Sequence, residues 1–249
     1  MRLLILRVAV IAALFFGQPF QPEALAWHDK THLSIAEAAG FDLWYSAAAP
    51  DVAKSKEMFS LVESPNHYYN NNANRKVTPE MVMAQVERYN RPGDDEGHLY
   101  GAIIGSVRDY MAMKKSGKYA RYPLAFCAHY CGDLSMPLHN TPYDDFNKAR
   151  HGINDGIIEN SVRNNIGYIQ RMMTQPSISS EADLADEIAA VAESARMLGL
   201  KIRKENRNMT VDETYTQVIR SASLFSAILA WTERQQAVVP VADRQAVTE

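Results

Sequence analysis

The sequence predicts an all-α protein, a single compact domain of several helices. Two observations predict it. Apolar residues recur at helical spacing through most of the chain, and the period-two alternation of a half-buried strand is nearly absent. The periodic stretches are also bounded by capping residues, prolines and glycines in helix-terminal positions. Residues 31–49 carry Leu33, Ile35, Ala36, Ala39 and Leu43 at helical intervals, with Thr31 as a cap. Residues 66–74 are asparagine-rich and read as a loop. Thr78-Pro79-Glu80 opens the next helix, with proline in the first turn, where its missing N–H costs nothing. Further helical patterns cover residues 99–115, 122–136, 155–173, 180–206 and 210–234, giving six or seven helices. Pro137 stops the one over 122–136, since proline cannot continue a helix. The tail, residues 236–249, shows no periodicity.

The chain has 249 residues and is 47% hydrophobic, enough for a sizeable core. Its formal charge of -3 and isoelectric point near 6.2 give no basic field, which argues against long duplex DNA as the main partner. Residues 1–26 read as a signal peptide: Arg2 and Arg7 at the start, an apolar run from Val8 to Phe16, a polar breaker, then the small-x-small site Ala24-Leu25-Ala26. An uncleaved anchor is the alternative, but the run is shorter than the ~20 residues of a membrane span. Cleavage after Ala26 makes Trp27 the mature N-terminus and the protein a secreted one, periplasmic or extracellular. The folded domain is expected over residues 27–235. The two cysteines, Cys127 and Cys131, are four apart on one helix face and read as buried thiols, with an intrahelical disulfide as the alternative.

Seven histidines are present, and most sit near carboxylates at ligand spacing. His129 and Asp133 are four apart on a helix, so both side chains point the same way. His139 follows two residues after Pro137, and His151 and Asp155 form a second pair at the same spacing. Asp51 and His67 lie in or beside loops, and Trp27 and His32 are five apart. Singly, each has an ordinary reading: a surface salt bridge, a helix cap, packing. Jointly, imidazole and carboxylate at these spacings are the donor set that zinc accepts.

The run His129-Tyr130-Cys131-Gly132-Asp133-Leu134-Ser135-Met136-Pro137-Leu138-His139 resembles the signature of the zinc-dependent phospholipase C / P1 nuclease superfamily. With the N-terminal Trp27, the Asp51 and His67 pair and the His151–Asp155 pair, the resemblance spans most of the mature chain. It implies an all-α fold of that type and three zinc ions. Asp51, His67, His129 and Asp133 would hold one. His139, His151 and Asp155 would hold a second. The α-amino group and carbonyl oxygen of Trp27, with His32, would hold the third, Asp133 bridging. His28 competes with His32, Glu159 with Asp155, and Asp42 with Asp51. The resemblance further implies a phosphodiester hydrolase in which bridged zinc ions activate water near neutral pH, with Asp51 as a proton acceptor. The short interval from His139 to His151 favours the phospholipase C branch over the single-strand nuclease and nucleotidase branch. Tyr68 and Tyr143 are candidate substrate contacts, and membrane contact would be transient. A non-catalytic secreted helical protein that keeps zinc for stability is the remaining class.

Overall fold

The computed structural model describes residues 27–115 and 121–237. Within them the chain forms ten α-helices and four 3-10 turns, and no strand. The helices are α1 (Asp29–Ala38), α2 (Ala49–Lys54), α3 (Glu57–Glu63), α4 (Pro79–Val86), α5 (Leu99–Lys115), α6 (Arg121–Ser135), α7 (Asp145–Asp155), α8 (Ile166–Met172), α9 (Glu181–Lys204) and α10 (Val211–Ala237). No helix among the described residues is long and apolar enough to cross a membrane. The signal-peptide reading, residues 1–26, lies outside the described residues. So does the tail beyond 237, while α10 runs two residues further than the expected domain end.

Local chemistry sets the boundaries. Thr78 Oγ1 accepts from the Met81 amide, with Pro79 at the first position of α4. Ser180 and Asp183 make a reciprocal capping box at α9, and Thr210 and Glu213 make the same exchange at α10. Asp144 caps α7 through the Asn147 amide.

Two expected boundaries are corrected. The helix expected over 31–49 stops at Ala38, because Gly40 takes φ +85°, a left-handed conformation that ends a helix at little cost for glycine. Residues 41–48 then turn before α2 begins. Of the helix expected over 155–173, only α8, from Ile166 to Met172, is α-helical; α7 lies before it and ends at Asp155, with turns between. Ile158 and Val162 between them are fully buried from turns, so their spacing mimicked a helix.

α6 is the axis of the molecule. It packs against α1, α5, α9 and α10, and every residue from 127 to 135 is buried. A helix apolar all round belongs in a core, but this stretch also carries His129 and Asp133. Cys127 and Cys131 are free thiols within it. One apolar core lies along α5, α6, α9 and α10, and a second gathers Trp27, Ile35, Met136, Leu138, Ile158 and Val162 under the N-terminal helix. The polar cluster lies between them.

Candidate metal centre

Six segments deliver eight buried or nearly buried side chains to one place. α1 supplies His32, α2 supplies Asp51, and the 3-10 turn Ser64–His67 supplies His67. α6 supplies His129 and Asp133, the turn Pro137–Asn140 supplies His139, and α7 supplies His151 and Asp155. The i,i+4 spacing read from the sequence does what it must on a helix: His129 Nε2 lies 3.4 Å from Asp133 Oδ2, and His151 Nε2 lies 3.5 Å from Asp155 Oδ2.

Around Asp133 Oδ2 the donor atoms fall into two overlapping trios, His67 with His129 and Asp133, and His32 with Asp51 and His129. His67 Nδ1 is 2.9 Å from Asp133 Oδ2 and 3.2 Å from His129 Nε2. Asp51 Oδ1 is 3.7 Å from His67 Nδ1 and 3.6 Å from His129 Nε2. Four ligands at zinc bond lengths of ~2.0–2.1 Å stand about 3.3–3.4 Å apart, the middle of this range. The other oxygen, Asp133 Oδ1, faces His32 Nε2 at 3.4 Å and His139 Nδ1 at 3.6 Å. Beyond it, His139 Nε2 and His151 Nε2 approach to 2.9 Å. The single carboxylate of Asp133 therefore divides its oxygens between two groups of imidazoles.

The fit to a metal rests on what these atoms lack. Both oxygens of Asp133, both oxygens of Asp155, both ring nitrogens of His32, Asp51 Oδ1 and His139 Nδ1 are buried without a well-aligned hydrogen bond, Asp51 Oδ1 alone having a lysine, Lys54, beside it. A buried polar atom left unpaired costs about 1–3 kcal/mol, more when charged. Eight such atoms in one cluster, all of ligand type, describe a site that could hold a metal ion.

Neighbouring groups fix which atoms face inward. The His129 Nδ1 site is 2.8 Å from the Ala47 carbonyl, and that of His151 is 2.8 Å from Asn147 Oδ1. Each contact places the proton on Nδ1 and leaves the Nε2 lone pair for the cluster. Glu63 Oε1 accepts from Tyr130 Oη at 2.7 Å and lies 3.2 Å from His67 Nε2. Lys54 Nζ lies 2.6 Å from Asp51 Oδ1. Sequence reasoning missed Ala47, Lys54, Glu63 and Asn147. Asn147 stands four before His151, the same interval that exposed the His–Asp pairs, and that signal was there to be read.

The rival positions separate by their partners. Glu159 spends both carboxylate oxygens on α1, accepting from the Lys30 and Thr31 amides and the Thr31 hydroxyl at 3.0–3.2 Å. Asp155 keeps both oxygens open. Asp42 pairs with Arg121 on the surface, while Asp51 faces the cluster. His28 sits beside Gly156, away from Asp133, whereas His32 is wholly buried against it. Trp27 is buried, its indole N–H donating to the Gly132 carbonyl at 2.9 Å. That bond sets Trp27 against the residue next to Asp133.

A cleft of about 290 Å³ opens onto His67, His139 and His151. Tyr68 and Tyr143 line it, as do Lys54, Ser60 and Ser64. Gly97, at φ +77°, lets the chain pass so close to Tyr68 that a Cβ would stand 2.2 Å from its carbonyl oxygen.

Charges in the cluster are strongly displaced. Burial would raise the Asp51 carboxyl, but His129 and Lys54 outweigh it and hold it below the usual range. Burial likewise opposes ionisation of Asp133, and His129, His139, His32 and His67 overcome it. Burial, then Asp133, pushes Asp155 well up.

These shifts set a pH dependence for the metal-free protein. Burial is the largest influence on His32, His98, His139 and His151 and lowers all four, His139 to about 4. The unfolded chain takes protons on these imidazoles near pH ~6.5 while the folded chain does not, so their contribution is lost as pH falls from about 6.5 toward 4. Two groups run the other way. Burial lowers His129, but Asp133 and Asp51 outweigh it, and the net rise gives a contribution lost as pH climbs. The raised Asp155 acts in the same sense. The lowered imidazoles lose their contribution within this window, so the chelated protein is expected to lose stability from about pH 7 to about pH 5. Urea denaturation at the two pH values measures it, and a midpoint that held or rose at the lower pH would contradict it.

Comparison of the chain with protein-family models returns no match, and none of the curated proteins matches it.

Proposed function

We propose that this chain is a secreted zinc-dependent phosphodiester hydrolase, a phospholipase C that cleaves the glycerol-phosphate bond of phospholipids, as its resemblance to the phospholipase C / P1 nuclease superfamily implies. The observation that carries the reading is the placement of ligand-type histidines on the wall of an open cleft. A metal kept only for stability is closed off by its protein ligands, whereas a catalytic one keeps an open side. Here His67, His139 and His151 each face both the buried carboxylates and the cleft.

Three zinc ions are assigned. Asp51, His67, His129 and Asp133 would hold the first; His139, His151 and Asp155 would hold the second; His32, the backbone of a processed Trp27 and Asp133 would hold the third. Zinc bound there would supply Lewis acidity toward phosphoryl oxygens and a water nucleophile near neutral pH. The chain's own residues do the rest. Asp133 fixes the spacing of the two imidazole groups by offering one oxygen to each. Ala47 and Asn147 hold His129 and His151 in the ligating tautomer. Lys54, on the cleft wall, is spent on Asp51 and holds that carboxylate in place. Tyr68 and Tyr143 flank the space a head group would fill. Asp51, ionised and paired with Lys54, is a strong ligand and a poor proton acceptor.

The test is a purified protein processed to Trp27, its zinc counted per chain, and its turnover of a soluble chromogenic phosphodiester compared with and without chelator. Three zinc ions and chelator-sensitive turnover are expected, with phosphatidylcholine or phosphatidylethanolamine cleaved faster than single-stranded DNA or RNA. The reverse order would move the protein to the nuclease branch. Full zinc with no turnover on any of the four would leave a zinc-stabilised, non-catalytic protein.

A further inference from the structure

α3 is built inside out. Past the exposed Glu57 its polar side chains face the protein: Glu63 is buried on Tyr130, and Ser60, with Ser64 just beyond the helix, lines the cleft, their hydroxyls 3.3 Å apart. Its apolar side chains face water. Met58 is 82% exposed, Leu61 67% and Phe59 52%. At 100° per residue, these three span one outward arc and Ser60, Glu63 and Ser64 the opposite one. A surface helix of a globular protein has the reverse arrangement. The apolar ground continues on α2, which packs against α3 and exposes Val52, and Tyr143 stands half-exposed on the cleft wall. Contiguous exposed apolar side chains mark interaction sites, whereas scattered ones need no explanation.

We propose that the α2–α3 segment is the surface by which this protein seats on a phospholipid layer, with Met58, Phe59 and Leu61 entering the boundary between head groups and acyl chains. The choice of a lipid surface over a protein rests on the phosphodiesterase reading and on three features of the segment. The helix that presents the apolar side chains also forms the cleft wall through Ser60 and Ser64, so patch and mouth are continuous. A phospholipid carries its phosphodiester directly beside its apolar part, which is the juxtaposition the segment offers. A cation flanks the patch: Lys56 is exposed at the start of α3 and is suited to anionic head groups.

The experiment is co-sedimentation of the processed protein with vesicles of phosphatidylcholine, with and without phosphatidylglycerol, against the double variant Met58→Glu/Leu61→Glu. Both substituted side chains are exposed and touch no ligand. The parent is expected to partition onto vesicles, more strongly with phosphatidylglycerol, and the variant to bind about tenfold more weakly or worse. The soluble phosphodiester is expected to be hydrolysed at the same rate by both. A Phe59→Trp protein should show a blue shift of its emission on adding vesicles, read independently of the double variant. A parent that stays in the supernatant overturns the proposal, even if it hydrolyses the soluble diester and so keeps the enzymatic reading. A parent that is dimeric, fails to partition and becomes monomeric in the double variant overturns it too, making the patch a contact between copies. Partitioning lost in the variant, with neither protein hydrolysing any diester, supports the surface and removes the enzymatic reading instead.

Discussion

Asp133→Asn is expected to abolish turnover of a phosphodiester and to strip the protein of more than one metal ion. The two carboxylate oxygens face different partners, Oδ2 toward His67 and His129 and Oδ1 toward His32 and His139. An amide keeps the shape but removes the charge and turns one of the two acceptors into a donor aimed at imidazole lone pairs. Loss of one preorganised electrostatic contact at a reacting centre costs about 10²–10³ in rate. A residue that serves two groups should exceed that, so a fall of about 10³ or more is expected. Stability supplies a second readout. A metal at about 100 times its dissociation constant stabilises the folded state by about 2.7 kcal/mol, roughly 5–10 °C for a domain of this size. The parent should show such a rise on adding zinc and the variant little or none. A variant that kept its full zinc content and the parental rate would remove Asp133 from the centre.

Gly132→Ala is the second substitution with a large expected effect, although it touches no ligand atom by design. A Cβ at Gly132 would stand 2.5 Å from His32 Nδ1, far inside contact distance. Both groups are fully buried, and the ring of His32 is stacked on that of His129 at 3.7 Å. His32 cannot swing away without displacing a second ligand. Overpacking of this kind costs about 1–3 kcal/mol. The added methyl should therefore lower the urea midpoint and remove the ion assigned to His32, leaving the protein short by one zinc. Gly152→Ala is the control, since a Cβ there meets nothing within 4 Å and the position lies beside the equally essential His151. Equal zinc content in the two variants would show that α1 and α6 can separate to accommodate the methyl.

Much of the site could be read from spacing because it is built on helices. His129 with Asp133, and His151 with Asp155, are one turn apart, and an α-helix converts that interval into a shared direction. The helix beginning at Leu99 and the stop before Pro137 followed from equally local rules. What stayed hidden was set by contacts distant in sequence. The choice between Asp155 and Glu159 depends on Glu159 capping a helix 128 residues away through the Thr31 amide. The role of Gly132 depends on which side chain arrives from α1. Lys54 and Ala47 belong to a region whose helices are short, six residues for α2 and seven for α3, too brief for periodicity to declare them. The inverted polarity of α3 had no local sign either, since exposure on a seven-residue helix is decided by its neighbours.

The Trp27 indole bonded to Gly132 spans 105 positions, and Ser221 on α10 bonds to the Cys131 carbonyl from 90 positions the other way. The central helix is thus clasped from both ends of the chain. Closing loops of that length carries its entropic cost before any contact returns stability. The consequence concerns biosynthesis. A nascent chain that ends with the His129–Asp133 helix already holds Trp27 but lacks Ser221, and His139, His151 and Asp155 are still to be made. The buried polar cluster can therefore close only after the residues that follow its central helix have been added, so its assembly comes late in the making of the chain.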